Sequence, residues 1–387
     1  MSFYESAEVA AVRQAARKFA AEVAPPEKAA EWDLANEVPR ELLLQMASLG
    51  FSGLVVPTEY GGRGRHVMGF LAVIEELARR SFGLSTLYAL NAGYGGLNLS
   101  VSGSEEQKRR FLPDILAGRL MFAYGLSEPD VGADLASVST TVQRKGDQVV
   151  VRGRKRWTSG AQHADYIICL ARSGPEGERH RNLSMVLVPT SAPGVQITNI
   201  RILGSGGNAP ADVVFDDVTV PLADVMGGEA GWNEGWSQLV GPALEIEKIQ
   251  PAAMALGIAE AAVEEAWTYS EQRRQFGRVI SANQSIRHDL ADARTMLHAC
   301  RLMLQDAAWR VDHREASAVE TCMTKLFLSE QCRDVVLSCQ QVMGAPGYAA
   351  GHQMERLVRD SLCFPIIGGS SAIQRNNISN LLKLARG

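Results

Sequence analysis

Residues able to do acid–base chemistry concentrate in one stretch, ALEIEKIQPAAMALG, residues 243–257. Leu244, Ile246, Ile249, Ala253 and Leu256 give it helical apolar spacing, and Glu245, Glu247 and Lys248 interrupt that spacing with charge. Pro251 then falls inside the helix, where it lacks the N–H that would bond the Glu247 carbonyl four residues back. A carboxylate in dry, apolar surroundings is pushed toward neutrality in its pKa, which suits a general base. The plain alternative is a kinked core helix with a salt-bridged glutamate, since structural ion pairs outnumber catalytic acids.

Four other groups of residues have chemical potential. YGLSEPDVGAD (124–134) ends an extended stretch in a polar turn carrying Ser127, Glu128 and Asp130. RWTSG (156–160) sets Trp157 beside two hydroxyls. In RRQFG (273–277) an arginine can pair with phosphate, Phe276 can stack on a base, and Gly277 lets the backbone turn. QQVMGAPG (340–347) and IIGGSSAIQR (366–375) place glycine turns at helix junctions, where backbone can approach a ligand closely. Each has a structural explanation when taken alone: a loop, a core anchor, a helix end, a cap.

Several functions are disfavoured. A net charge of −4 gives no electrostatic footprint for nucleic acid. Arg152, Arg154, Lys155 and Arg156 read as a short solvated strand edge. The six cysteines form no C-x-x-C pair and read as small buried residues of a reducing, cytoplasmic compartment. The seven histidines show no metal spacing. No signal peptide and no apolar run of membrane length is expected. GSGGNA (204–209) matches a dinucleotide loop only formally. Strands flank it on both sides, so no helix N-terminus is available for a pyrophosphate.

The elements that must position these residues come in three blocks. Helical periodicity over 5–24, from Pro39 to Gly50, and over 67–80, 84–101 and 104–117 predicts a helical domain, with Pro25-Pro26 stopping the first helix. Ser104 and Gln107 form a capping-box pattern. The period then changes to two over 120–127, 138–143, 148–157, 166–172, 183–189, 194–200 and 212–221, predicting an antiparallel barrel or sandwich. Helical periodicity returns over 232–272, 282–312, 316–343, 351–362 and 369–385, predicting a bundle. The expected fold is α+β, mostly α: a helical domain 1–119, a β domain 120–228 and a four-helix bundle 229–387.

On this plan the motifs together resemble the acyl-CoA dehydrogenase family of flavoenzymes over nearly the whole chain. The family's T-E-P-x-x-G-S-D is similar to SEPDVGAD here, W-I-T to Trp157-Thr158-Ser159, and R-x-x-F-G to Arg273–Gly277. Q-x-x-G-G-x-G is matched by Gln341, Gly344 and Gly347, and Y-E-G-T-S-x-I-Q by IIGGSSAIQ. The resemblance implies FAD, contacted by Tyr124, Leu126, Ser127, Trp157 and Ser159, by Arg273, Phe276 and Gln284, and by Gln341, Gly344 and Ser370 partly across a subunit boundary. It implies a homotetramer (a dimer of dimers) and an electron-transfer flavoprotein as partner. The implied reaction is α,β-dehydrogenation of an acyl thioester: a carboxylate takes the α-proton while a hydride goes to flavin N5.

The family's usual base, the Glu of Y-E-G-T, is Gly368 here. A subgroup similar to isovaleryl-CoA dehydrogenase and to carrier-protein prolyl dehydrogenases places the base on the first long bundle helix, ten residues before a glycine. Glu247 and Gly257 keep that spacing, Lys248 replaces the common arginine, and Glu245 is the minor candidate. The Gly368 N–H would still bind the thioester carbonyl. Substrate contacts fall on Leu244, Lys248 and Ala133, the last replacing a serine near the pantetheine. With GSGGNAPAD in place of an Arg- and Thr-bearing loop, a carrier-protein thioester competes with acyl-CoA as substrate. The missing Y-E-G-T glutamate also fits an enoyl-CoA reductase of the same fold, or a catalytically inactive flavin-binding assembly protein.

Overall fold

Apolar faces, with side-chain caps at the starts of several, fix the N-terminal helices. The computed structural model describes residues 5–384, so residue 385 of the last expected helix lies outside the described residues. Helix α1 (Ala7–Val23) starts where the Ser6 hydroxyl accepts from the Val9 N–H. The proline pair does end α1, but Pro26 also opens a helix that the periodicity does not predict, α2 (Pro26–Ala35). The first helical turn needs no N–H from its leading residue, so proline fits there. α3 (Leu42–Ser48) and α4 (Val67–Ala78) follow, and Glu75 on α4 is buried between Arg13 of α1 and Arg301.

The single helix expected over 84–101 is three pieces: α5 (Phe82–Tyr88), a π-helical segment (Ala89–Leu97) and α6 (Asn98–Ser102). Such wide turns are rare and occur often at functional sites. The segment carries Gly93, Gly95 and Gly96. α7 (Glu105–Leu116) has the expected capping box between Ser104 and Gln107.

Seven strands form one curled sheet: β1 (Phe122–Gly125), β2 (Thr141–Lys145), β3 (Gln148–Ser159), β4 (Tyr166–Arg172), β5 (Leu183–Pro189), β6 (Val195–Asn199) and β7 (Pro210–Pro221). The order is β1-β4-β2-β3-β7-β6, with β5 on β4. It is not wholly antiparallel, as the sequence suggested: β1 pairs with β4 in parallel. Parallel pairing needs a long connection, and the β2–β3 hairpin lies within the stretch that joins these two strands.

Lys155 is fully buried, not part of a solvated edge. It shares the inward phase of Val149, Val151 and Gly153. Beyond it the register with β7 shifts between Lys155 and Thr158. That irregularity puts Trp157 at φ +65 with about half its surface exposed and turns Thr158 inward.

The C-terminal bundle is built on α9 (Ala243–Gln272), preceded by the short α8 (Gly235–Leu239). α9 stays continuous through Pro251 and is buried at every residue from Lys248 to Val263. A helix buried all round belongs at the centre. α10 (Gln284–Asp312) and α11 (Ala318–Met343) pack along it, with α12 (Gln353–Ser361) and α13 (Ser371–Leu381) closing the end. A short hairpin, β8 (Arg274–Gln275) and β9 (Arg278–Val279), joins α9 to α10 through Phe276 and Gly277, both at positive φ.

The rejected loop GSGGNA is a junction. Gly207 accepts from the Val38 N–H and donates to Asn36, Asn208 donates to the Gly83 carbonyl, and the Ser205 N–H donates to Asp360 of α12. It therefore ties the sheet to helices on both sides. All six cysteines are free, and five are buried.

Candidate active site

Glu247 sits on the face of α9 turned toward the π-helical segment and α6. Its side chain is half-buried, and its Oε1 accepts a hydrogen bond from Asn98 Nδ2 at 2.6 Å. Tyr94 and Tyr124 pack near it with ring centroids 5.0 Å apart, and the Glu247 charge adds to burial in raising both phenol pKa values above the usual range. Burial of the carboxyl outweighs the Asn98 hydrogen bond and raises its pKa to about 7. No cation pairs with it among the described residues.

Its neighbours on α9 point elsewhere. Glu245 pairs with Lys248 at 2.8 Å and accepts from the Thr321 hydroxyl of α11, and Lys248 also lies 3.4 Å from Cys322 Sγ. The structure therefore does not bring Lys248 or Glu245 to Glu247. Leu244 is half-buried at the start of the helix.

Gly368 does come to this place. An ideal Cβ built on it would lie 3.0 Å from Pro251 Cγ, one turn beyond Glu247 on the same side of α9. Its φ of +60 favours glycine, and its N–H makes no hydrogen bond within the described chain. The vacated position and the helix glutamate, paired in the sequence by argument alone, are neighbours in space.

The second wall comes from the sheet. The Arg156 N–H donates to the Ser127 carbonyl at 2.8 Å, which joins the SEPD turn to the Trp157 segment. Glu128 reaches inward and pairs with Lys155 Nζ at 2.8 Å, and Lys155 also donates to the Leu126 carbonyl at 3.0 Å. Burial opposes the Glu128 charge. Lys155, Ser139 and the backbone still hold its pKa down at about 2. Glu128 is thus the lock of this motif, and beside it Ser127 and Ser159 are half-buried and Trp157 is half-exposed.

Other expected positions are set apart. Arg273, Phe276 and Gln284 lie exposed at the hairpin and the start of α10, with Phe276 97% exposed. Gln341 and Gly344 are exposed at the end of α11. Ser370 caps α13, its hydroxyl accepting from the Ile373 N–H. Ala133 is exposed in a loop. Neither the hairpin nor the α11 end shares a hydrogen bond with Glu247, Ser127 or Trp157 among the described residues. Sequence reasoning missed Asn98 and Tyr94. Their signal is slight: a glycine-rich apolar stretch, NAGYGGLN, bracketed by two asparagines that both prove buried.

The residues present fit a flavin. Thr158 Oγ1 is buried without a partner beside the half-exposed indole of Trp157, and the Ser127 and Ser159 side chains are half-buried next to it. No group of three or more His, Cys, Asp or Glu able to hold a metal occurs among the described residues. None of their helices is long and apolar enough to cross a membrane.

The chain is similar to known proteins over nearly its whole length. The models of the N-terminal, middle and C-terminal domains of acyl-CoA dehydrogenases match residues 6–119, 123–218 and 233–382. The chain is 34% identical over 373 residues to an acyl-CoA dehydrogenase of Bacillus subtilis, covering 96% of each. It is 32% identical over 374 residues to a subunit of a caffeyl-CoA reductase–Etf complex of Acetobacterium woodii, covering 96% of this chain and 97% of that one. The solved glutaryl-CoA dehydrogenase–glutaryl-CoA complex has a TM-score of 0.93 at 28% identity, over 100% of this chain and 98% of the other. The chain belongs to the acyl-CoA dehydrogenase family. It is an FAD-dependent oxidoreductase of the kind that acts on CH–CH donors.

Proposed function

We propose that Glu247 is the base that removes the α-proton of an acyl thioester. The observation that carries this is its carboxyl group: desolvated, without a cation, and held by a single amide at a pKa of about 7. Above that pH the carboxylate is ionised and poorly solvated, so it gains by accepting the proton. The Gly368 N–H has no partner in the described chain and is placed beside α9, where it can donate to the thioester carbonyl as charge builds on that oxygen. FAD, when bound, supplies the acceptor for the β-hydride. Trp157, Ser127, Thr158 and Ser159 would hold its ring system, and Arg273, Phe276, Gln284, Gln341, Gly344 and Ser370 its remainder.

The last group requires a second chain in this reading. Exposed Phe276, Tyr348 and Ile366 beside those motifs support a cofactor shared between subunits of a homotetramer. Light scattering tests that mass. The electron acceptor is an electron-transfer flavoprotein, supported by the Etf complex of the reductase relative, and free cysteines support a cytoplasmic setting. A carboxyl with a pKa near 7 can also return a proton, so reduction of an enoyl thioester is the second direction. CoA and a pantetheinylated carrier protein both remain as acyl carriers. The loop at 204–209 is occupied as a junction and offers neither carrier a cation.

The test is anaerobic mixing of the FAD-loaded protein with acyl-CoA and acyl-carrier thioesters, followed by flavin absorbance. Bleaching by one series, abolished in Glu247→Gln, is the expected result. Full-rate bleaching by Glu247→Gln sinks the assignment.

A further inference from the structure

Gln250 follows Glu247 by three residues on α9, which places it about 4.5 Å further along the axis and on the same side. It is only 3% exposed, and neither its Oε1 nor its Nε2 has a hydrogen-bond partner among the described residues. Several other buried amides donate at least one hydrogen bond, Asn182 to the Pro175 carbonyl and Gln374 to that of Gly369 among them. Asn91 donates to two carbonyls, Asn98 to Glu247, Gln107 to two carbonyls while also accepting, and Asn208 to Gly83. A buried amide with both ends unmet is rare in folded proteins and calls for an explanation.

Its surroundings point to a ligand. Gly93, in the π-helical segment, faces Gln250 so closely that a Cβ there would lie 2.6 Å from Oε1. Tyr94 and Asn98, from the same segment and the start of α6, flank Glu247. Pro251, the next residue, touches Gly368. The unpartnered amide therefore lies between the proposed base, the proposed carbonyl donor and a wall kept thin by glycine. The nearby cations are engaged, Lys248 by Glu245 and Lys325 by the Phe364 carbonyl at 2.7 Å. A neutral donor–acceptor group would match both ends of the amide, which can give a hydrogen bond at one end and accept at the other.

We propose that Gln250 is a specificity-determining residue that reads a neutral hydrogen-bonding group, a hydroxyl or amide, on the acyl chain a few bonds beyond the reacting carbons. This rests on the thioester reading of the site. Its substrates are then polar acyl thioesters rather than plain alkanoyl ones. A site built to hydrogen-bond a substrate group rejects the analogue lacking it, because its own polar atoms are left unmet.

The experiment uses FAD-loaded Glu247→Gln protein, so that binding is read without turnover, by the flavin absorbance shift and by calorimetry. The probes are pantetheine thioesters, the arm that CoA and carrier proteins share. They pair 4-hydroxybutanoyl with pentanoyl, 5-hydroxypentanoyl with hexanoyl, and 6-hydroxyhexanoyl with heptanoyl. The expected result is at least about tenfold tighter binding of one hydroxylated member than of its alkyl isostere, lost when Gln250→Met is added. Absence of preference at every length in the parent protein overturns the proposal without recourse to a Gln250 variant. A preference that survives Gln250→Met overturns it as well. The dehydrogenase reading fails separately, if no thioester bleaches the flavin of the unmodified enzyme.

Discussion

Two glutamates, Glu128 and Glu247, both reach into apolar surroundings and have opposite fates. Glu128 receives Lys155 Nζ at 2.8 Å and hydrogen bonds from the Ser139 N–H, the Ser139 hydroxyl and the Thr140 N–H. Its pKa stays near 2. Glu247 receives one amide hydrogen, and its pKa rises to about 7. The difference lies in what each carboxylate is given as compensation for leaving water. A fully compensated carboxylate is inert and holds structure together, and an under-compensated one is poised to take a proton. The same contrast holds two residues before Glu247, where Glu245 is quenched by Lys248 and Thr321.

Glu247→Gln should have the strongest effect on this contrast. Flavin reduction should fall by about 10³-fold or more, the scale expected for loss of a positioned base, while FAD stays bound. Glu245→Gln should leave the rate within about tenfold, because its partners already engage it. Stopped-flow absorbance separates the two.

For Glu128 the expected loss is structural. Lys155→Met leaves a buried carboxylate unpaired and should destabilise the protein by about 3–5 kcal/mol. Adding Glu128→Gln should recover much of that, since the stranded charge is then gone. Urea unfolding checks both, and a single mutant as stable as the parent would refute the locking role.

The pH dependence of the two has opposite sign. Glu247 is raised from 4.5 to about 7, so its favourable contribution is complete below about 4.5 and is lost as pH rises through about 7. Glu128 is lowered, so its contribution is present above 4.5 and lost as pH falls toward about 2. Glu247→Gln should then match the parent in stability at about pH 4 and exceed it by roughly 1–3 kcal/mol at pH 8. The parent's kcat/KM should rise through the same interval. With Glu247 as the proposed base, activity and stability should trade against each other at one side chain.

Much of this was legible in the chain. All seven strands of the large sheet were visible because alternation or a short apolar run marks each of them. α9 was visible, and the vacancy at Gly368 drew attention to Glu247. What sequence could not carry was partnership. Glu128 and Glu247 are the same residue type, and only the fold decides that Lys155 meets the first and Asn98 the second. Lys155 was hidden because basic residues crowd around it and suggest surface, although its parity with Val149 and Val151 placed it inward. α2 was hidden because a proline pair signals an end as readily as a beginning. The π-helical turn was hidden because glycines within an apolar helix do not announce a change of pitch. The family resemblance implies a substrate contact for Lys248, whereas the fold pairs it with Glu245 and sets it against Cys322 of α11.

A weaker perturbation, at Asn98, tests compensation itself. Among the described residues, Asn98 is the only side chain that lowers the pKa of Glu247 by a hydrogen bond. Asn98→Ala should therefore leave the carboxylate even less compensated, and its pKa should rise. The acid limb of the kcat/KM profile should move to higher pH by roughly one unit, the scale of a hydrogen bond to a charged group. At about pH 9, where the carboxylate is ionised in either protein, the rates should agree within a fewfold. A merely structural asparagine would lower the rate equally at all pH values and leave the limb in place. If the limb stays fixed while the plateau falls, Asn98 positions the base without tuning it, and the pKa of Glu247 is set by burial alone.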